Sequence, residues 1–143
     1  MTLPVNRRLA LLCAPLLASG FAACGNTSSV GGFKGEQRAV AQTISNLQTE
    51  ATARDEQKIC TNDLAKAVVA RLELVKGGCK EAMNKQLGEI DTFEVTVESV
   101  KVNASAAPPT ASASVKNVRS GKTTLSTVSL VKESGKWKIS SVS

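Results

Sequence analysis

The sequence predicts an α+β domain in which three helices come first and a curved four-stranded antiparallel sheet follows. Three observations predict it. Apolar residues recur at a helical period as far as Leu87. Beyond Asp91 they alternate with polar residues instead. Glycines and Ser-Gly pairs punctuate the joints between these runs. Helices and strands in separate runs are the pattern of helices laid on one face of a sheet.

The first helix is expected over Glu36 to about Arg54. Val40, Ile44, Leu47 and Ala51 share one face of a 3.6-residue period, and Gln37, Asn46, Glu50 and Arg54 lie elsewhere on the wheel. Asp55 reads as a break or cap. A second helix is expected over Glu56 to Lys76, with Leu64, Val68, Leu72 and Val75 as its apolar stripe and Thr61, Asn62 and Asp63 as capping side chains. Gly77-Gly78 ends it, because glycine accepts the left-handed conformation at a helix C-terminus. Cys79 to Leu87 is the third helix, closed by Gly88.

Phe93, Val95 and Val97 alternate with Glu94, Thr96 and Glu98, and then Val100 and Val102 carry the apolar phase. An extra residue near Ser99 reconciles the two halves, which predicts a β-bulge. Pro108-Pro109 marks a loop. Thr110 to Val118 is the second strand, with Ala111, Ala113 and Val115 on one face. A turn at Ser120-Gly121 leads to a third strand over Thr123 to Lys132. Ser134-Gly135 signals a tight hairpin, and Lys136 to Val142 is the last strand, with Trp137 and Ile139 inward.

Upstream, Arg7 and Arg8 precede an apolar stretch from Leu9 to Ala23. It is too short for a comfortable transmembrane helix, which needs roughly 20 apolar residues. A basic start, a short apolar run and a small-residue end read as an export signal over residues 1–23. Phe21-Ala22-Ala23-Cys24-Gly25 resembles the bacterial lipobox, whose cysteine receives the lipid and becomes the first residue of the mature chain. The family prefers Leu where Phe21 stands. The competing reading is ordinary secretion with a cut near Ala22 or Gly20. Cysteine parity favours lipidation: with Cys13 lost in the leader and Cys24 acylated, Cys60 and Cys79 remain as one pair. Residues 24–35 are rich in Gly, Ser and Asn and read as a flexible tether, and residues 36–143 as the domain.

The formal charge of +6 falls to +4 once Arg7 and Arg8 leave with the leader. That is a mildly basic, soluble surface, and export argues against nucleic acid as partner. There is no His and no Tyr. This removes the usual base near neutral pH, the His-dependent nucleophiles and the commonest metal ligand. No catalytic residue, cofactor or metal is expected. Cys60 and Cys79 bracket the second helix, and an oxidising compartment permits a disulfide between them. A redox role would call for closer spacing, such as C-x-x-C.

Asp55-Glu56-Gln57-Lys58-Ile59-Cys60, then Cys79, then Gly135-Lys136-Trp137-Lys138-Ile139 carry a further resemblance. Over residues 36–143 the chain resembles the NTF2-like (cone-shaped α+β) domains of small actinobacterial lipoproteins. That resemblance implies helices and a curved sheet enclosing a cone, often with an apolar pocket. Enzymes of that fold use a Tyr or His with a buried Asp, and this chain lacks both Tyr and His.

The leading expectation is therefore a non-enzymatic, lipid-anchored interaction module on the extracytoplasmic side of the membrane, with an envelope protein as partner. The alternative is a carrier or sensor of a small apolar ligand in the cone. Its candidate pocket residues are Phe93, Val95, Val97, Leu125, Val128, Trp137 and Ile139, each of which also suits plain core packing. A carboxylate-dependent enzyme ranks third. Lys116, Arg119, Lys122, Lys132, Lys136 and Lys138 gather around the two hairpins, where they suit an anionic surface or edge protection of the sheet.

Overall fold

A computed structural model describes residues 29–90, 93–119 and 121–143. The leader, Cys24, Asp91, Thr92 and Ser120 lie outside the described residues. The chain is α+β. Helices α1 (Gly35–Ala53), α2 (Glu56–Lys58), α3 (Lys66–Leu72) and α4 (Gly78–Gly88) precede strands β1 (Glu94–Asn103), β2 (Thr110–Arg119), β3 (Lys122–Glu133) and β4 (Lys136–Val142). The strands form one antiparallel sheet in the order β1-β2-β3-β4. Among the described residues no helix is long and apolar enough to cross a membrane.

Helix α1 lies on the sheet through the face its sequence marks. Val40, Ala41 and Ile44 are buried against the strands, with Leu47 half-buried beside them. Arg54 stops the helix in the left-handed conformation, and the Asp55 N–H closes the end on the Glu50 carbonyl at 2.9 Å. Asp55 then caps α2, its carboxylate accepting from the Lys58 N–H at 3.0 Å.

The second predicted helix is not continuous. After α2 the chain makes a π-helical turn over Ile59–Asp63, and Leu64 and Ala65 become extended before α3 begins. The cause is tertiary. Leu64 bridges Ile139 in parallel, and the Ala65 N–H donates to the Ile139 carbonyl at 2.8 Å. β4 is an edge strand with unpaired backbone groups, and this short segment covers part of it. The break resets the helical phase, so the expected stripe does not form: Val68 and Leu72 are only half-buried, and Val75 is exposed. Thr61, Asn62 and Asp63 do not cap α3 either. Its first N–H, on Lys66, is met by the Glu133 carboxylate at 3.2 Å.

The strands follow the alternation closely. Val95, Val97 and Val100 of β1 are buried, and the register against β2 shifts between Val97 and Ser99. Glu98 is the extra residue, and the bulge lets the apolar phase flip without leaving the core. Ala111, Ala113 and Val115 of β2, Val128 and Leu130 of β3, and Trp137 and Ile139 of β4 complete the inner face. The small alanines of β2 leave room for α1 to approach. Ser134 and Gly135 both take positive φ, the two-residue turn that matches strand twist. Upstream, Ser29–Gly32 forms a 3₁₀ turn, and Val30 and Phe33 pack on the core, so packing begins ahead of Glu36.

Candidate functional site

Six of the seven candidate pocket residues meet in the interior. Val95, Val97, Val128, Trp137 and Ile139 belong to one packed cluster with α1, and Phe93 is half-buried against it. Val40, Ala41 and Ile44 of α1 belong to the same cluster. Leu125 is different: it is 73% exposed. It pairs with Lys116, whereas Val128 pairs with the fully buried Ala113. Leu125 and Val128 are three positions apart, an odd step, so strand alternation puts them on opposite faces. Leu125 is therefore not a pocket residue.

The depressions lie elsewhere. One of about 450 Å³ runs across the sheet past Val102, Thr110, Ser112 and Ser140. A second, of about 500 Å³, is an open groove between the π turn with α3 and the β3–β4 hairpin. None of the seven lines either. The floor of the groove is apolar, made by Leu64, Val69, Ala70 and the disulfide-bonded Cys60. Its rim carries Lys66, Lys136, Lys138 and Glu133. Leu64 enters this floor only because the extended break turns it toward β4.

Several groups hold the groove in shape. Cys60 and Cys79 form a disulfide with an S–S distance of 2.01 Å, joining the π turn to the start of α4. Lys138 reaches across from β4 and donates its ammonium to the Thr61 carbonyl at 3.2 Å and to the Asn62 carbonyl. These are carbonyls at a helix end, where cations are favoured. Lys132 is committed as well, to Glu36 at 2.7 Å, and its ammonium stands 5.6 Å from the Trp137 ring centre. Arg119 donates to the Glu89 carbonyl at 3.1 Å. The six basic hairpin residues are not one patch. Lys116, Arg119 and Lys122 sit at one end of β3, and Lys132, Lys136 and Lys138 at the other.

The sequence reading missed a buried acid pair behind the groove. Asp63, at the end of the π turn, is only 3% exposed, and its Oδ2 has no hydrogen-bond donor among the described residues. Glu50 of α1 faces it with an equally unpartnered buried Oε2. Burial, then the facing Glu50 carboxyl, push Asp63 up to about 8, while Lys138 pulls the other way. Asp63 thus keeps its proton near neutral pH, because burial and the facing Glu50 carboxyl both disfavour its charged form. No sequence signal marked them: Asp63 looked like a cap, and Glu50 like an exposed wheel position. Neither lines the groove, and among the described residues no group of acids or cysteines has metal-site geometry.

No family model, curated protein or solved structure matches this chain.

Proposed function

We propose that this chain is a non-enzymatic interaction module of the cell envelope, lipid-anchored through Cys24 on the extracytoplasmic side, with the groove beside α3 as its binding face. The observation that carries the binding face is the groove itself: an apolar floor with three lysines and one glutamate on its rim. An envelope protein that presents an apolar side chain beside carboxylates fits that chemistry. The anchor is supported by Arg7-Arg8, the short apolar run and the small residues before Cys24. The non-enzymatic character is supported by the lack of His and Tyr, and by an acid pair that faces inward. The NTF2-like plan belongs to the same proposal, and helices packed on a meander with a bulged first strand support it.

Two measurements test it. Metabolic labelling with a palmitate analogue marks the parent chain and not Cys24→Ser; equal labelling of both removes the anchor. A photocrosslinking residue at Val69 in the groove yields an adduct with a discrete envelope protein, and one at Thr124 on β3 does not. Lys66→Glu with Lys136→Glu abolishes the Val69 adduct. Equal adducts from both positions, or an adduct indifferent to those reversals, remove the groove as the binding face.

A further inference from the structure

The turn between α3 and α4 holds the most exposed large apolar side chain described, Leu74 at 88%, with its neighbour Val75 at 51%. Scattered exposed aliphatics are ordinary on protein surfaces. These two are adjacent in a hydrogen-bonded turn. The Leu74 N–H donates to the Arg71 carbonyl at 3.2 Å, Val75 to Leu72 at 3.0 Å, and Gly78 back to Val75 at 2.8 Å. Gly77 and Gly78 both take positive φ, and a Cβ on Gly77 would fall 2.6 Å from the Glu81 Cβ. The disulfide at Cys79 fastens the far side of the turn.

Residues 71–81 contain Arg71, Lys76 and Lys80 against two acids, Glu73 and Glu81. All three basic residues are exposed, and among the described residues none is ion-paired. Glu73 is folded back, its carboxylate accepting from the Cys79 N–H at 3.3 Å. Three bases against two acids leave the turn net positive. Exposed aliphatic side chains on a turn, flanked by Lys and Arg that extend toward phosphates, suit the headgroup and acyl boundary of an anionic bilayer. A protein hot spot more often needs an aromatic or Arg anchor seated in a pocket.

The geometry points to the Leu74–Val75 turn as a membrane-contact site, in which the two aliphatics enter an anionic bilayer while Arg71, Lys76 and Lys80 engage its phosphates. This contact is separate from the anchor at Cys24 and from the groove, and it would orient an already tethered domain.

The test uses Val75→Trp in the full processed chain. The reporter is added to vesicles of acyl-brominated phosphatidylcholine, with or without phosphatidylglycerol. Trp137 in the parent chain is buried, at 4% exposure, and serves as the unquenched reference. The expected result is a blue shift and bromine quenching of the Val75→Trp signal only when phosphatidylglycerol is present. Lys76→Gln with Lys80→Gln, both at exposed positions, should cut that quenching roughly twofold or more. Quenching no greater than that of Trp137, or independent of phosphatidylglycerol, overturns the proposal. A blue shift that appears without vesicles and grows with protein concentration also overturns it, in favour of contact between two copies. The vesicles supply the bilayer directly, so failed palmitate labelling leaves this readout intact.

Discussion

Asp63 and Glu50 form the residue pair with the clearest solution signature. The folded value of Asp63 lies near 8, against an ordinary 3.8. The folded chain therefore keeps a proton that the unfolded chain releases within that interval. Stability from this pair is fully present below the ordinary value and falls as pH rises through the folded one. Melting temperature should decline from about pH 4 to about pH 8 and level off above. Asp63→Asn, which puts an amide donor in place of the retained acid proton, should flatten that decline; the same slope in both chains would refute the assignment. Glu36 is opposite in sign. Hydrogen bonds from Lys132, then from Trp137, hold its carboxyl below the usual range, so its contribution is lost on acidification. Glu36 accepts from the Trp137 indole N–H at 2.7 Å, and that N–H belongs to a buried ring. Glu36→Ala should lower the melting temperature and shift Trp137 fluorescence. Glu36→Gln should fall between, because its carbonyl oxygen still accepts from the indole.

At the scale of elements, the strands show how pairing assigns faces. Ala111 and Ala113 of β2 stand opposite Leu130 and Val128 of β3, and Lys116 stands opposite Leu125. Leu130→Ala should cost about 2–5 kcal/mol as a core truncation, whereas Leu125→Ala should stay within about 0.5 kcal/mol as a surface change. Urea denaturation of the two variants checks the phase of β3; similar losses would contradict it. The face of α1, the four strands, the bulge near Ser99 and the Ser134-Gly135 turn were legible in the sequence. Each follows from local periodicity or from backbone preference. The broken second helix was not legible. Its stripe from Leu64 to Val75 is a sound local pattern, defeated by the Leu64–Ala65 contact with Ile139, a residue far along the chain. Leu125 was legible but misread, because its odd separation from Val128 already placed the two on opposite faces.

For the molecule as a whole, the core is one-sided. α1 and the inner sheet face supply the buried cluster, whereas α3 buries no side chain fully and α4 buries only Cys79. The disulfide therefore fastens a loosely packed helical layer to the π turn. Replacing both cysteines by alanine should cost about 3 kcal/mol through the loop released in the unfolded chain. Hydrogen exchange should then accelerate most in residues 66–88, while β2 and β3 remain protected. A uniform acceleration across helices and sheet would show instead that the bridge supports the entire core. The same layer carries the groove wall and the Leu74–Val75 turn, so both proposed contact surfaces sit on the part least supported by apolar packing.

By itself the sequence determined the α+β class, the helical face of α1, the strand order of a meander and the cysteine pair. These depend on near-neighbour periodicity, on turn stereochemistry and on composition, all of which are local. Only the tertiary structure decided where the second helix breaks, which acids face each other inside, and that the open groove lies beside α3. Those outcomes require residues distant in sequence to meet: Leu64 with Ile139, Glu50 with Asp63, and Lys138 with the carbonyls of the π turn. A one-dimensional pattern records the preference of each segment, but burial, edge pairing and carboxyl proximity arise only once the segments are packed.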